Sequence, residues 1–172
     1  TTSHMEGSAT CDNVIGELKG TLSPDTILLV GGHLDAWDVG EGAHDDGSGC
    51  VQSMDVLNIL VGIGYKPRYT IRCVLFANEE NGLAGGNAYA AMAKEEGLFH
   101  LAALESDAGG FSPRGFSFDA GTSVLKKYYR VVSQKMLPLL ESYGLQFETG
   151  GSGADIGPLK GLKGLLIGLR PD

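Results

Sequence analysis

Short apolar runs alternate with polar, glycine-rich breaks along most of this chain, and the hydrophobic period changes from run to run. Residues 26–30 (TILLV), 70–77 (TIRCVLFA) and 100–104 (HLAAL) are nearly continuous apolar stretches, the pattern of strands buried on both faces. Residues 13–18 and 164–169 read as further strands, and Ser23-Pro24-Asp25 as a turn. The intervening segments have helical spacing. A helix is predicted from near Ser48, with Val51, Met54, Leu57, Ile59 and Leu60 on a mostly apolar face and glycines at 62 and 64 to stop it. Residues 84–95 form an Ala-rich helix. Residues 124–143 form a long amphipathic one, with Leu125, Tyr128, Val132, Met136, Leu139, Leu140 and Tyr143 on one stripe and a kink expected at Pro138. This alternation predicts an α/β fold: a three-layer sandwich whose central sheet is mostly parallel or mixed, with helices on both faces.

Four acidic clusters fall just beyond strand-like runs: His33-Leu34-Asp35, Asp45-Asp46-Gly47, Glu79-Glu80 and Glu105-Ser106-Asp107. Gly31-Gly32 is expected to turn the backbone tightly and deliver His33 at a strand end. Each cluster alone has an ordinary reading. Asp-Asp-Gly is a common turn, Glu-Glu a solvated pair, and a strand-end histidine is usually structural. Together they gather at the carboxyl edge of the sheet, where ligands collect in such folds. Crowding carboxylates at one edge is costly unless cations compensate. Oxygen ligands interleaved with an imidazole suit a divalent metal, and two metals with one free carboxylate to move protons suit a hydrolase.

Composition narrows the partners. A chain of 172 residues with 42% hydrophobic content can build one core. A formal net charge of -8 argues against nucleic acid or an anionic membrane surface. No apolar run is long enough for a membrane span, and no secretory leader is visible. Cys11, Cys50 and Cys73 lack metal-type spacing, and Cys73 is expected to be a buried small hydrophobe. Residues 1–8 (TTSHMEGS) read as an expression-tag remnant, leaving 9–172 as the domain.

The runs GGHLDAWDVGEGAHDDGSG, FANEENGLAGG, ESDAGGF and GSGADIGPL resemble the co-catalytic zinc aminopeptidase family, closest to its plasma glutamate carboxypeptidase (carboxypeptidase Q-like) branch. The similarity extends from about Asn13 to Leu169. The resemblance implies two zinc-type ions. His33 and Asp107 would bind one, Glu80 the other, and Asp45 would bridge them. Asp35 would support the His33 imidazole, and Glu79, next to a ligand but not itself one, would be the general base. It also implies a cis peptide between Asp45 and Asp46, a supporting place for Asp155, a peptide substrate, and an extracellular or periplasmic location.

One departure from the family pattern matters. The resemblance calls for a further histidine, downstream of the last strand, to complete the Glu80 metal, whereas this chain contains only His4, His33, His44 and His100. His4 belongs to the apparent tag, His44 is expected to point away, and His100 starts a strand at the wrong edge. The chain thus reads as an incomplete metallopeptidase core, expected to hold at most one metal tightly and to show little activity. Its final strand is expected to lie uncovered, which would invite self-association into a homo-oligomer. Two other readings share the scaffold: a single-zinc, glutaminyl-cyclase-like acyltransferase and a non-catalytic ectodomain of the transferrin-receptor type. Retention of His33, Asp45, Glu79, Glu80 and Asp107 favours the two-metal hydrolase.

Overall fold

A computed structural model describes residues 7–162 and 164–170. Most of the tag-like segment, including His4, lies outside the described residues. The elements in chain order are β1 (Val14–Leu18), β2 (Ser23–His33), α1 (Ser48–Gly62), β3 (Tyr69–Phe76), α2 (Ala84–Glu95), β4 (Phe99–Ser106), β5 (Gly115–Asp119), α3 (Thr122–Leu140), β6 (Gln146–Thr149) and β7 (Leu165–Arg170). Seven strands form one mixed sheet in the order β1-β3-β2-β4-β7-β5-β6. The central strands β3, β2, β4 and β7 run parallel, while β1 on β3 and β5 on β7 are antiparallel. The fold is α/β with an open sheet, as the alternating pattern predicts.

Alternation along each central strand separates two cores. Ile27, Leu29, Val74, Phe76, Ala103 and Leu166 meet Tyr89, Ala90 and Ala93 of α2 on one face, together with Ile156 and Leu159. On the opposite face Cys73 and Leu75 pack with Cys50 and Leu57 of α1. Leu165, Ile167 and Phe118 pack there with Leu125, Tyr128 and Val132 of α3. Helices therefore cover both faces, and every strand between them must be apolar on both sides. Asn13 ties the edge to the middle: its Oδ1 accepts the Ala77 amide at 3.0 Å and its Nδ2 donates to the Gly85 carbonyl at 2.9 Å.

Several expectations need correction. Ser23-Pro24-Asp25 is not a turn but the start of β2, accommodated by a register shift between Ser23 and Ile27. Proline cannot donate to the ladder, and the Thr70 hydroxyl bonds the Pro24 carbonyl at 2.7 Å. The α3 stripe is only half used: Leu139 and Tyr143 are 72% and 76% exposed, because the helix runs on past the short strands beneath it. Pro138 lies within α3, and the chain tightens into a 3-10 turn at Glu141–Tyr143. The last strand is not uncovered. β7 lies between β4 and β5, so the sheet edges are β1 and β6. Strands β5 and β6 have no counterpart in the sequence-based expectation, since GFSFD and QFET are too short for a clear period. Among the described residues no helix is long and apolar enough to cross a membrane.

Candidate metal centre

The parallel register of β3, β2 and β4 lines up the strand ends from which the acidic residues project: His33 pairs with Phe76, and Gly31 with Glu105. Gly31 and Gly32 lie within β2 and do not turn it. They allow close approach instead. A Cβ at Gly31 would meet the Val74 carbonyl at 2.6 Å, and one at Gly32 would meet Asp46 Oδ2 at 2.3 Å. The segments after β3 and β4 carry three non-glycine residues at positive φ: Asn78 before Glu79 and Ala108 after Asp107, both at 64°, and Leu83 at 59° just before α2. Such backbone persists only where its surroundings impose it, and it clusters at functional sites.

His33 is the hub. It is 2% exposed. Its Nε2 lies 3.2 Å from Asp45 Oδ1 and 3.4 Å from Asp107 Oδ1. Its Nδ1 faces the Asp35 backbone carbonyl at 2.9 Å. A proton on Nδ1 satisfies that carbonyl and leaves the Nε2 lone pair directed at the carboxylates, the tautomer a metal ligand needs. The Asp35 carboxylate does different work: it accepts the amides of Glu79 at 2.9 Å and Glu80 at 3.1 Å, pinning that turn beside His33. The Asp45–Asp46 peptide is cis, as the family resemblance implies. Ligand atoms of His33, Asp45 and Asp107 lie within 4.8 Å of one another, as do those of His33, Glu79 and Glu80.

The donor set fits a divalent cation. Glu80 Oε1 is buried and makes no hydrogen bond among the described residues. Burial raises the pKa of Glu79, as do the carboxylates of Asp107, Glu80 and Asp35, against the opposing pull of His33. His33 itself rises to about 10: burial opposes its charge, but Asp107, then Asp46 and the Asp35 carbonyl, outweigh it. The pocket is an excess of negative charge around one imidazole, and a cation would relieve it.

The other histidines stand apart. His44 is exposed, stacks on Phe111 at 4.8 Å and accepts the Gly110 amide through Nδ1 at 3.3 Å. His100 starts β4 at the far end of the sheet, buried, with Nε2 accepting the Tyr89 hydroxyl at 2.8 Å. Burial, and to a lesser degree the nearby Arg72, holds it down to about 4.

Three supporting acids stand in segments that the sequence reading singled out, but Asp46 and Glu105 had no role of their own there and Asp155 only a supporting place. Asp46 is fully buried, accepting the His33 amide at 2.9 Å and the Gly49 amide of α1 at 3.1 Å. Glu105 accepts the amides of Ala154 and Ile156, both at 2.9 Å, and so fastens loop 153–156 to β4. Asp155 is fully buried, and neither carboxyl oxygen has a hydrogen-bond partner among the described residues. An Asp followed by Gly-Ser-Gly at a helix start was the available signal for Asp46. The Glu105-Ser106-Asp107 cluster marks Glu105 as part of the acidic edge, but nothing local identifies its partners, Ala154 and Ile156, some fifty residues downstream.

Replacing Glu105 with alanine should destabilise the fold by about 2–4 kcal/mol, since two buried amides lose their acceptor. Glu105→Gln, which keeps one acceptor oxygen, should cost less. Urea midpoints at constant slope measure this, and a loss below about 1 kcal/mol for Glu105→Ala would show that loop 153–156 is held by other means.

The same groups set a pH dependence. Burial, with neighbouring acids, raises Asp46 and Asp155 to about 7 and Glu105 to about 8. These acids and His33 all bind protons more tightly in the folded chain than in the unfolded one. Their stabilisation is therefore lost as pH rises, the carboxyl part up to about 8 and the His33 part from 6.5 to about 10. His100, lowered to about 4, acts in the opposite sense only below 6.5. In chelator, the urea midpoint should fall steadily from pH 6.5 to pH 9. A midpoint that rises over this window would contradict the assignment.

Comparison with known proteins places this arrangement. The family model for peptidase family M28 matches residues 13–159. Carboxypeptidase Q of Bos taurus is 35% identical over 145 residues, covering 84% of this chain and 30% of that protein. The chain thus spans about a third of the length of this curated relative. The crystal structure of a peptidase M28 precursor from Shewanella amazonensis superposes with a TM-score of 0.77 at 33% identity, covering 93% of this chain and 36% of that one. A zinc aminopeptidase from Bacillus subtilis shares the fold at a TM-score of 0.68 and 20% identity, over 92% of this chain and 39% of that one. The matched family model, the relatives and the strand-end acids agree: this chain belongs to peptidase family M28.

Proposed function

We propose that the chain is the metal-binding core of a zinc-dependent exopeptidase that hydrolyses peptide bonds in short peptides. The observation that carries the reading is the convergence of His33, Asp45, Glu79, Glu80 and Asp107 at one sheet edge. In this reading His33, Asp45 and Asp107 would hold one ion, and Asp45 and Glu80 would contribute to a second. Bound zinc would supply polarisation of the scissile carbonyl and a lowered pKa for the attacking water. Glu79, whose own pKa is raised by burial and by its acidic neighbours, accepts the proton of the attacking water and delivers it to the departing amine. Asp35 keeps Glu79 and Glu80 in separate roles by holding both of their amides.

The experiment is hydrolysis of a panel of dipeptides, read as release of amino groups, with zinc and with chelator. Zinc-dependent cleavage is expected. The chain alone should be slow: among the described residues the imidazole grouped with Glu80 is His33, which this reading assigns to the other ion, so Asp45 and Glu80 are left as two carboxylates. Added imidazole, which can supply a nitrogen donor, should raise the rate. Tight zinc binding without cleavage in either condition would overturn the reading.

A further inference from the structure

A cavity of about 370 Å³ opens on the acidic cluster from the side of the loop that follows β2. Asp45 and Glu80 line it where it meets the cluster, and residues of loop 36–44 supply the rest, Trp37 and Glu41 among them. That volume is at the small end of ligand pockets and has room for one amino-acid residue with its side chain.

The loop is built to hold its shape. The Gly40 amide donates to the Trp37 carbonyl at 2.6 Å, and the Gly47 amide to the Gly42 carbonyl at 2.7 Å. Gly42 sits at φ 63°, and a Cβ there would meet the Ala36 Cβ at 2.6 Å, so a side chain would push the loop open. Trp37, the single tryptophan of the chain, is 64% exposed. An indole left in water at the rim of a cavity gains when a ligand covers it. Glu41 is exposed as well, and among the described residues the cavity lining includes no lysine or arginine to pair with it. His44, also in the lining, is engaged elsewhere, stacked on Phe111 and accepting the Gly110 amide.

The three acids of this cavity have different fates. Asp45 and Glu80 are assigned to metal ions in the proposed function, and bound cations would compensate them. Glu41 stands outside that set and keeps its charge. An aromatic face and a spare carboxylate in one cavity suit a cation carried on a long apolar stem. The indole covers the methylenes and attracts the charge, and the carboxylate pairs with it. An acidic side chain would be repelled there, and an uncharged one would gain from Trp37 alone. We propose that Trp37 and Glu41 form a subsite for a lysine or arginine side chain, so that the peptides preferred at this centre carry a basic residue beside the bond that is cut. This rests on the peptidase reading and deepens it by naming the substrate class. Trp37 and Glu41 are specificity-determining residues here, with no part in the chemical step.

The test is binding of blocked residues, independent of turnover. N-acetyl-lysinamide and N-acetyl-norleucinamide have neither a free α-amine nor a carboxylate, and they differ in the terminal ammonium of the side chain. Each is titrated into the chain in saturating zinc, followed by the fluorescence of Trp37 and by NMR of the Gly40 and Gly42 amides. The lysine ligand should bind roughly fivefold tighter or more, from its ion pair and its contact with the indole. Glu41→Gln should bring it to within about twofold of the norleucine ligand, whose own affinity should not change. Glu41→Asp should keep part of the preference, and Trp37→Leu, read by NMR, should weaken both ligands. Equal affinities, no response to either ligand, or a lysine preference that survives Glu41→Gln would overturn the proposal. Absence of peptide hydrolysis with the lysine preference intact would instead sink the function and leave this subsite standing. Zinc-dependent hydrolysis without any lysine preference would do the reverse.

Discussion

Glu79→Gln should cut peptide turnover by at least about a hundredfold in any active protein that carries this chain, while zinc affinity stays nearly unchanged. The side chain keeps its size and its amide keeps the Asp35 bond at 2.9 Å, so the turn should not move. What disappears is a carboxylate that can accept a proton. The environment makes that carboxylate a better base than an exposed glutamate, through burial first and then the charges of Asp107, Glu80 and Asp35. The paired readouts separate roles. A hundredfold loss of rate with zinc retained identifies a proton carrier, whereas loss of both would make Glu79 a ligand. Activity equal to that of the parent would remove it from the mechanism altogether.

Zinc titrated into the chain should fill one site tightly, and Asp45→Ala or His33→Gln should weaken that site by at least about a hundredfold. Even partners outside the ligand sphere are worth tenfold to a hundredfold, and the proposed assignment puts these two residues inside it. The reason for one site and not two is the inventory of donors. His33, Asp45 and Asp107 offer a nitrogen and two carboxylates within 4.8 Å of one another. Beside Glu80 the described residues bring Glu79, proposed here as the proton carrier, His33, already assigned to the other site, and the shared Asp45, while His44 is turned to Phe111 and His100 is buried at the other end of β4. Binding should release protons, because His33 held near 10 must give one up, so affinity should climb with pH. Calorimetry in buffers of different ionisation heat reads the stoichiometry and the proton count together. Two tight sites per chain would refute the inventory. An unchanged affinity in His33→Gln would move the metal elsewhere.

How far the chain could be read in advance varies from element to element. α2, at Ala84–Glu95, and the buried strands β3 and β4 were visible from apolar runs between glycine-rich breaks, because burial on both faces leaves few alternatives for such runs. Strands β5 and β6 were not visible. GFSFD and QFET become strands by pairing with β7 and with each other, and such partners are chosen across long stretches of chain. The same distinction explains the Ser23-Pro24-Asp25 segment. Turn residues next to a proline suggest a loop locally, but the register with Tyr69 holds them in the sheet.

Read alone, the amino-acid order puts His33, Glu79, Glu80 and Asp107 at or just beyond the ends of the apolar runs that become β2, β3 and β4, and Asp45 in the Gly- and Asp-rich stretch that leads into α1. It also determined the α/β class, since alternating runs with helical and strand periods can bury their apolar faces in few other ways. That Asp35 reaches the imidazole through its backbone carbonyl and spends its carboxylate on the Glu79 and Glu80 amides follows from how the strands are assembled, and no local pattern announces it. The same assembly makes Asp46 and Glu105 internal fasteners, each accepting two backbone amides. The physical reason is reach. Periodicity and turn chemistry act over a few residues, whereas the partner of a buried carboxylate is set by which strands lie side by side, and that order is a property of the whole sheet.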